Sequence, residues 1–191
     1  GWFKTHRSDV PVISIGNITA GGTGKTPVVA YLAKHIRQRG LRVAIVSRGY
    51  GATAGSVNDE ALELERLLPD VPHIQNPDRL AAIRLAVDEL AAQVILLDDA
   101  MQHRRVQRDL EIVLIDATNP FGFGYQLPRG LLRESLRGLK RASVLMLTRA
   151  NLVAERDVAQ IKATVQRYAP NVPWLEATHE PECFCRWPDT E

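Results

Sequence analysis

Between Gly21 and Thr26 the chain reads Gly-Gly-Thr-Gly-Lys-Thr, a set of residue types suited to holding a polyphosphate. Glycines let backbone N–H groups approach anionic oxygens, the Lys25 ammonium can reach the outer phosphates, and the Thr26 hydroxyl can ligate Mg²⁺. The strict spacing G-x-x-x-x-G-K-[ST] is not met, because its first position falls on Thr19. The variant with a lysine ahead of the glycine pair is not met either, since Ala20 stands there. The alternative is a glycine-rich turn with an incidental lysine, and the flanking elements decide between the two.

Acidic and basic groups recur where apolar runs end. Asp98 and Asp99 close the run Val94 to Leu97, where a carboxylate can support Mg²⁺ and where two adjacent acids repel unless a cation sits between them. Asp98 is equally suited by type to capping a following helix. Arg48, in Arg-Gly-Tyr-Gly, can pair with a phosphate or simply leave a strand through a turn. His103 suits either a hydrogen-bonding structural role or proton transfer. Asp116 ends another apolar run, with capping and functional roles both open. Asp59 and Glu60 open a helical stretch where acids are ordinary, so spacing alone does not single out Asp59 as a base.

These groups need a scaffold, and the hydrophobic pattern supplies one. Val10 to Ile15 is a short β-branched run leading into the glycine segment, and Val28, Val29, Leu32, Ala33 and Ile36 recur at helical spacing up to Gly40. Leu41 to Val46 is a second apolar strand, which completes a βαβ unit. Helices are expected over Asp59 to Leu68, Pro77 to Ala92, Leu131 to Arg141 and Val153 to Tyr168. Strands are expected over Val71 to Gln75, Val94 to Leu97, Leu110 to Ile115, Ser143 to Thr148 and Val172 to Ala177. Short apolar strands alternating with helices predict an α/β fold, P-loop NTPase-like, with a mostly parallel sheet and helices on both faces. In such sheets ligands bind beyond the carboxyl ends of the strands. Residues 1–178 are expected to form the nucleotide-binding core, and the polar, proline-punctuated 179–191 a tail or the start of a linker.

Composition narrows the classes. The 191 residues carry 24 Lys+Arg against 22 Asp+Glu, a net charge of +2, so no bulk field favours nucleic acid and phosphate chemistry must be local. The two cysteines, Cys183 and Cys185, lie one residue apart, which excludes a disulfide framework and fits a reducing compartment. With His179 they would give only three zinc ligands, and no metal is assigned to them. No apolar run approaches the ~18 residues of a membrane span. The start at Gly1 reads as a processed chain or an excerpt.

Two basic clusters are candidates for an anionic membrane surface or a substrate phosphate. One is Arg104, Arg105 and Arg108. The other is Arg133, Arg137, Lys140 and Arg141, expected along one face of the helix Leu131 to Arg141.

Several motifs occur together in order. They are Gly16-Asn17-Ile18-Thr19 with Gly21 to Pro27, Ser47 to Gly51, Val57-Asn58-Asp59-Glu60, Asp98 to His103, Arg108-Asp109, Leu127 to Gly130 through Arg133-Glu134, and Thr148-Arg149-Ala150. In this the chain resembles the tetraacyldisaccharide 4′-kinase family, the lipid A 4′-kinases, from about Val10 to Asn151. The resemblance implies ATP-dependent, Mg²⁺-supported phosphorylation of the 4′-hydroxyl of an acylated glucosamine disaccharide 1-phosphate at the cytoplasmic face of the inner membrane. By the same resemblance Thr19 is normal in the loop and Asp59 is the base on the sugar hydroxyl. Asp98, Asp99 and Glu134 belong to the metal and phosphate surroundings, and Arg48, Gln102, His103 and Arg133 are candidates for substrate or phosphate. The family usually has glycine and an aromatic or leucine where this chain has Ala100 and Met101. Its members also carry an N-terminal membrane helix and a second domain with an assisting histidine, and neither is visible in these residues.

Overall fold

The computed structural model describes residues 5–49, 59–178 and 180. Seven strands form one sheet: β1 (Val12–Asn17), β2 (Val43–Ser47), β3 (His73–Gln75), β4 (Val94–Asp98), β5 (Leu110–Asp116), β6 (Val144–Thr148) and β7 (Trp174–Glu176), in the order β3-β2-β4-β1-β5-β6-β7. All six pairings are parallel, as the βαβ pattern predicts. Four helices complete the core: α1 (Lys25–Gln38), α2 (Asp59–Leu67), α3 (Arg79–Asp88) and α4 (Glu155–Gln166).

The two-residue period of each strand divides the core between the faces. Ile15, Leu96, Ile112 and Leu114 meet Val29, Ala33 and Ile36 of α1 and Leu64 of α2. Val12, Ile95 and Leu97 meet Ala82, Ile83 and Ala86 of α3, while Val113, Ile115, Leu145 and Leu147 meet Ile161 and Val165 of α4. Because β4 inserts between β1 and β2, the chain leaves β1 toward α1 on one face and its neighbours β4 and β5 end on either side of that exit. A crevice at the carboxyl edge is the consequence.

Strand limits differ from the sequence reading where it matters for the site. β1 runs on through Gly16 and Asn17, and β4 and β5 include Asp98 and Asp116. The parallel ladder continues past the last apolar side chain, pairing Gly16 with Val113, Asn17 with Leu114 and Ile15 with Asp98.

The expected helix Leu131 to Arg141 does not form; only Leu136–Arg141 coils, as a 3₁₀ segment. The backbone of 131–133 is engaged elsewhere: Ala20 N–H donates to Leu131 O at 2.6 Å, Arg133 N–H donates to Ile18 O at 2.7 Å, and Leu132 bridges to Thr19 and Gln126. Ser135 is extended, and a buried Gly138 lies inside the short coil. Arg133, Arg137, Lys140 and Arg141 therefore share no helical face. None of the described helices is long and apolar enough to cross a membrane.

Candidate phosphate and metal site

Helix α1 begins without a side-chain cap. Gly24 stands at its N-cap in the left-handed region (φ 78°, ψ 27°), a conformation a side chain would strain, and the first turn holds no acid. Helix α3 shows the contrast: the Asp78 carboxylate accepts from Leu80 N–H at 3.0 Å and Ala81 N–H at 3.2 Å. An uncapped 14-residue helix whose first residue is a buried lysine presents N–H groups and an ammonium to an anion. The buried Thr23 hydroxyl has no hydrogen-bond partner among the described residues, and nothing lies within 4 Å of where side chains at Gly21 and Gly22 would stand. Thr148, at the end of β6, donates from its hydroxyl to Thr23 O at 2.9 Å and holds the loop against the sheet.

Lys25 is 8% exposed, yet among the described residues its ammonium is held only at long range: 3.4 Å to Asn17 Oδ1 and 3.7 Å to Asp99 Oδ1. Contacts of that length give up little when the group turns to another acceptor. Asn17 organises the exit of β1. Its amide donates to Thr19 O at 2.6 Å, and its backbone carbonyl accepts from Gln102 Nε2 at 3.0 Å. Met101 packs directly on the same strand, its Cβ 2.7 Å from where a Gly16 Cβ would stand, so β1 requires glycine there.

Asp99 follows β4 with φ 51° and receives Arg133 Nη1 on both oxygens, at 2.7 and 2.8 Å. Burial would raise its pKa, but Lys25, Arg133 and Arg79 together hold the carboxyl below the usual aspartate value. Asp98 is buried at the strand end. Gln102 Nε2, which also bonds Asn17 O, donates to Glu134 Oε1 at 3.1 Å, and Arg141 Nη2 reaches both Glu134 oxygens at 2.8 and 2.7 Å. One network thus joins Lys25, Asp99, Gln102, Arg133 and Glu134, all expected from sequence, with Asn17, which the sequence offered only within a motif, and Arg141, which was expected on a basic helical face rather than beside Glu134.

Arg79 was also missed. It is buried at the start of α3, donates to Asn76 O at 2.9 Å, and has its pKa lowered by burial and by Arg48, against the pull of Asp99 and Asp98. No periodicity marks it; only its place beside the capping Asp78 could have. Arg48 is exposed at the exit of β2 and joins the site through charge on Arg79. His103 lies on the Arg79 side of the crevice, where burial, Arg79, Arg108 and Arg105 push its pKa below the usual value, so the imidazole is neutral at pH 7.

Asp116 resolves as a turn former: it accepts from Thr118 N–H at 2.9 Å and Thr118 Oγ1 at 2.7 Å and pairs with Arg149. Asp59 begins α2, but its side chain, with Tyr50 to Asn58, lies outside the described residues, as do His179, Cys183 and Cys185.

Among the described residues no cluster of three His, Cys, Asp or Glu side chains is placed to hold a metal. Mg²⁺ takes one or two protein oxygens and completes its shell with phosphates and water. Thr26, in the first turn of α1, and Asp98, at the end of β4, offer oxygens of that kind.

A family profile described as Tetraacyldisaccharide-1-P 4'-kinase (LpxK) matches residues 1–190. The tetraacyldisaccharide 4'-kinase of Elusimicrobium minutum is 41% identical over 96% of this chain and 54% of its own length. That of Syntrophotalea carbinolica is 45% identical over 83% and 50%. The chain thus spans about half the length of the curated relatives it matches. The crystal structure of LpxK from Aquifex aeolicus in complex with ATP superposes with a TM-score of 0.70 at 26% identity, covering 99% of this chain and 78% of that one. With ordered motifs, a shared fold and near-complete coverage by the family profile, the chain belongs to the tetraacyldisaccharide-1-P 4'-kinase family.

Proposed function

We propose that these residues are the nucleotide-binding part of an ATP- and Mg²⁺-dependent kinase that phosphorylates the 4′-hydroxyl of an acylated glucosamine disaccharide 1-phosphate at the cytoplasmic face of the inner membrane. Residues 1–178 are the core in this reading, and 179–191 are its tail. The observation that carries it is the buried Lys25 ammonium, held at 3.7 Å by Asp99 at the mouth of an uncapped helix. The family's description as a tetraacyldisaccharide-1-P 4'-kinase and the ATP-bound relative support it.

Phosphoryl transfer asks the protein for alignment and charge neutralisation rather than covalent chemistry. Gly21 to Gly24 would receive the phosphate oxygens on backbone N–H groups. Lys25 would leave Asp99 for the outer phosphate, while Arg133 would keep the Asp99 carboxylate paired and add positive charge beside the phosphates. Thr26 and Asp98 would hold Mg²⁺, with Asp99 and Glu134 around them; the ion supplies neutralisation of the phosphate oxygens. Asp59 would take the proton from the sugar hydroxyl. Arg48, Gln102 and His103 line the rim on which the acceptor's phosphate would lie.

Transfer from ATP to a lipid disaccharide 1-phosphate, followed by ³¹P NMR with Asp59→Ala as control, tests the assignment. Nucleotide hydrolysis that ignores the lipid would refute it and favour a P-loop switch that uses water. Because the chain spans half the length of its relatives, ATP binding without transfer by these 191 residues would leave them the positioning of nucleotide alone.

A further inference from the structure

The loop beside the phosphate cradle carries a surface the reaction does not use. Phe123 is 73% exposed, Leu127 53% and Tyr125 47%, three large apolar side chains within five residues. Tyr31, an exposed ring on α1, stacks on His35 and lies apart from this loop in sequence. The loop is firmly closed from beneath: Leu131 N–H donates to Gly122 O at 2.9 Å, Leu132 N–H to Tyr125 O at 3.0 Å, and Leu127 N–H to Leu132 O at 2.9 Å. Phe123 is held out with φ 63°, a region disfavoured for any bulky side chain.

Within the segment the charge has one sign. From Ala117 to Leu132 the sequence contains no acid, and its single charge is Arg129, whose guanidinium lies 3.7 Å over the Tyr125 ring. Exposed Arg137 and Lys140 follow closely in sequence. Aromatic rings backed by arginine, with no carboxylate among them, match the interface of an anionic bilayer, where rings sit at headgroup depth and cations meet phosphate. The loop is stitched to the cradle through Ala20 and Ile18, so docking would set the strand-end crevice at a fixed height above the lipid.

We propose that the loop Phe121 to Leu132 is a membrane-contact element, with Phe123, Tyr125 and Leu127 entering the interface of an anionic bilayer and Arg129 on its phosphates. The proposal deepens the kinase reading and rests on it for the lipid-borne acceptor. Co-sedimentation of the chain with phosphatidylcholine vesicles and with vesicles containing phosphatidylglycerol tests it, with Tyr31→Ser as a surface control.

The unsubstituted chain should prefer the anionic vesicles. Phe123→Asn combined with Leu127→Gln should weaken that partitioning about tenfold or more, and Arg129→Gln about fivefold on anionic vesicles only. Tyr31→Ser should change nothing. Circular dichroism and affinity for a fluorescent ATP analogue should stay unchanged in all variants. No vesicle binding, equal binding to both lipids, or undiminished binding of the double variant would overturn the proposal. So would self-association that the double variant abolishes in the absence of vesicle binding, since that gives the patch to a second copy. Intact ATP affinity without vesicle binding removes the loop's role and spares the kinase reading; vesicle binding without ATP affinity does the reverse.

Discussion

Asp99→Asn separates the cradle's electrostatics from its metal chemistry. Lys25 sits 3.7 Å from Asp99 Oδ1, and the Asp99 side chain is 36% exposed. Lys25 is buried but water reaches the carboxylate, so the Coulomb attraction of unit charges near 4 Å is discounted for screening to about 1 kcal/mol. If Lys25 has to leave Asp99 to meet a phosphate, that energy opposes nucleotide binding. Removing the carboxylate's charge should tighten binding of metal-free ATP by about 1 kcal/mol, roughly fivefold. Arg133, released from its two contacts at 2.7 and 2.8 Å, would add to the gain. With Mg²⁺ present the advantage should shrink or reverse, because the variant also loses an oxygen from the metal's surroundings. Titration of a fluorescent ATP analogue, first in EDTA and then with Mg²⁺, reads both effects. Unchanged or weaker metal-free binding would refute the reasoning, since the ammonium would then not be exchanging one anion for another.

Lys25→Ala should lower single-turnover transfer at least as far as Asp59→Ala, because alignment and neutralisation are worth more than the ~10²- to 10⁴-fold of base assistance; quenched-flow assay of the active enzyme compares them. Arg108→Ala should destabilise by about 3 kcal/mol in urea melts, since it leaves the buried Glu111 carboxylate without its cation, with the Ser14 hydroxyl still donating to it, and removes the guanidinium held by Ala100 O and His103 O. Gly16→Ala should cost about 1 to 3 kcal/mol through its collision with Met101, and differential scanning fluorimetry would register it. The Asp99 carboxyl is held below its ordinary value, so its pairing stabilises the fold above about pH 4 and is lost as pH falls through the lower folded-state value. The urea midpoint of Asp99→Asn should consequently drop less between pH 7 and pH 3 than that of the parent. An equal drop would place the acid sensitivity elsewhere.

The sheet was legible because it is buried on both faces and its strands are near-continuous apolar runs, and the glycine segment because strand, loop and helix each carry their own signature. The strand ends were less so: Gly16, Asn17, Asp98 and Asp116 are held in the ladder by backbone pairing, which hydrophobic periodicity does not report. The segment 131–141 misled for a related reason. Its leucines and arginines fall at helical spacing, but hydrogen bonds from the phosphate loop take up the backbone of 131–133. In the site, Lys25, Asp98 and Asp99 were visible from type and position, while Glu134 was reached only through family motifs. Arg133 and Arg141 were noticed as part of a basic cluster, but on a helical face that does not form. Arg79 came from neither route, being an ordinary basic residue until the fold sets it among the site's charges.

The side chain at position 17 serves two masters at once. Its NH₂ end fixes the bend of the loop at Thr19, and its oxygen end steadies the Lys25 ammonium. A carboxylate of the same shape would keep the second grip but set one oxygen against another at the first. A leucine would forfeit both. The curvature of the cradle and the aim of its cation are therefore mechanically tied, and an engineer who wished to re-aim one for a bulkier triphosphate would have to rebuild the other.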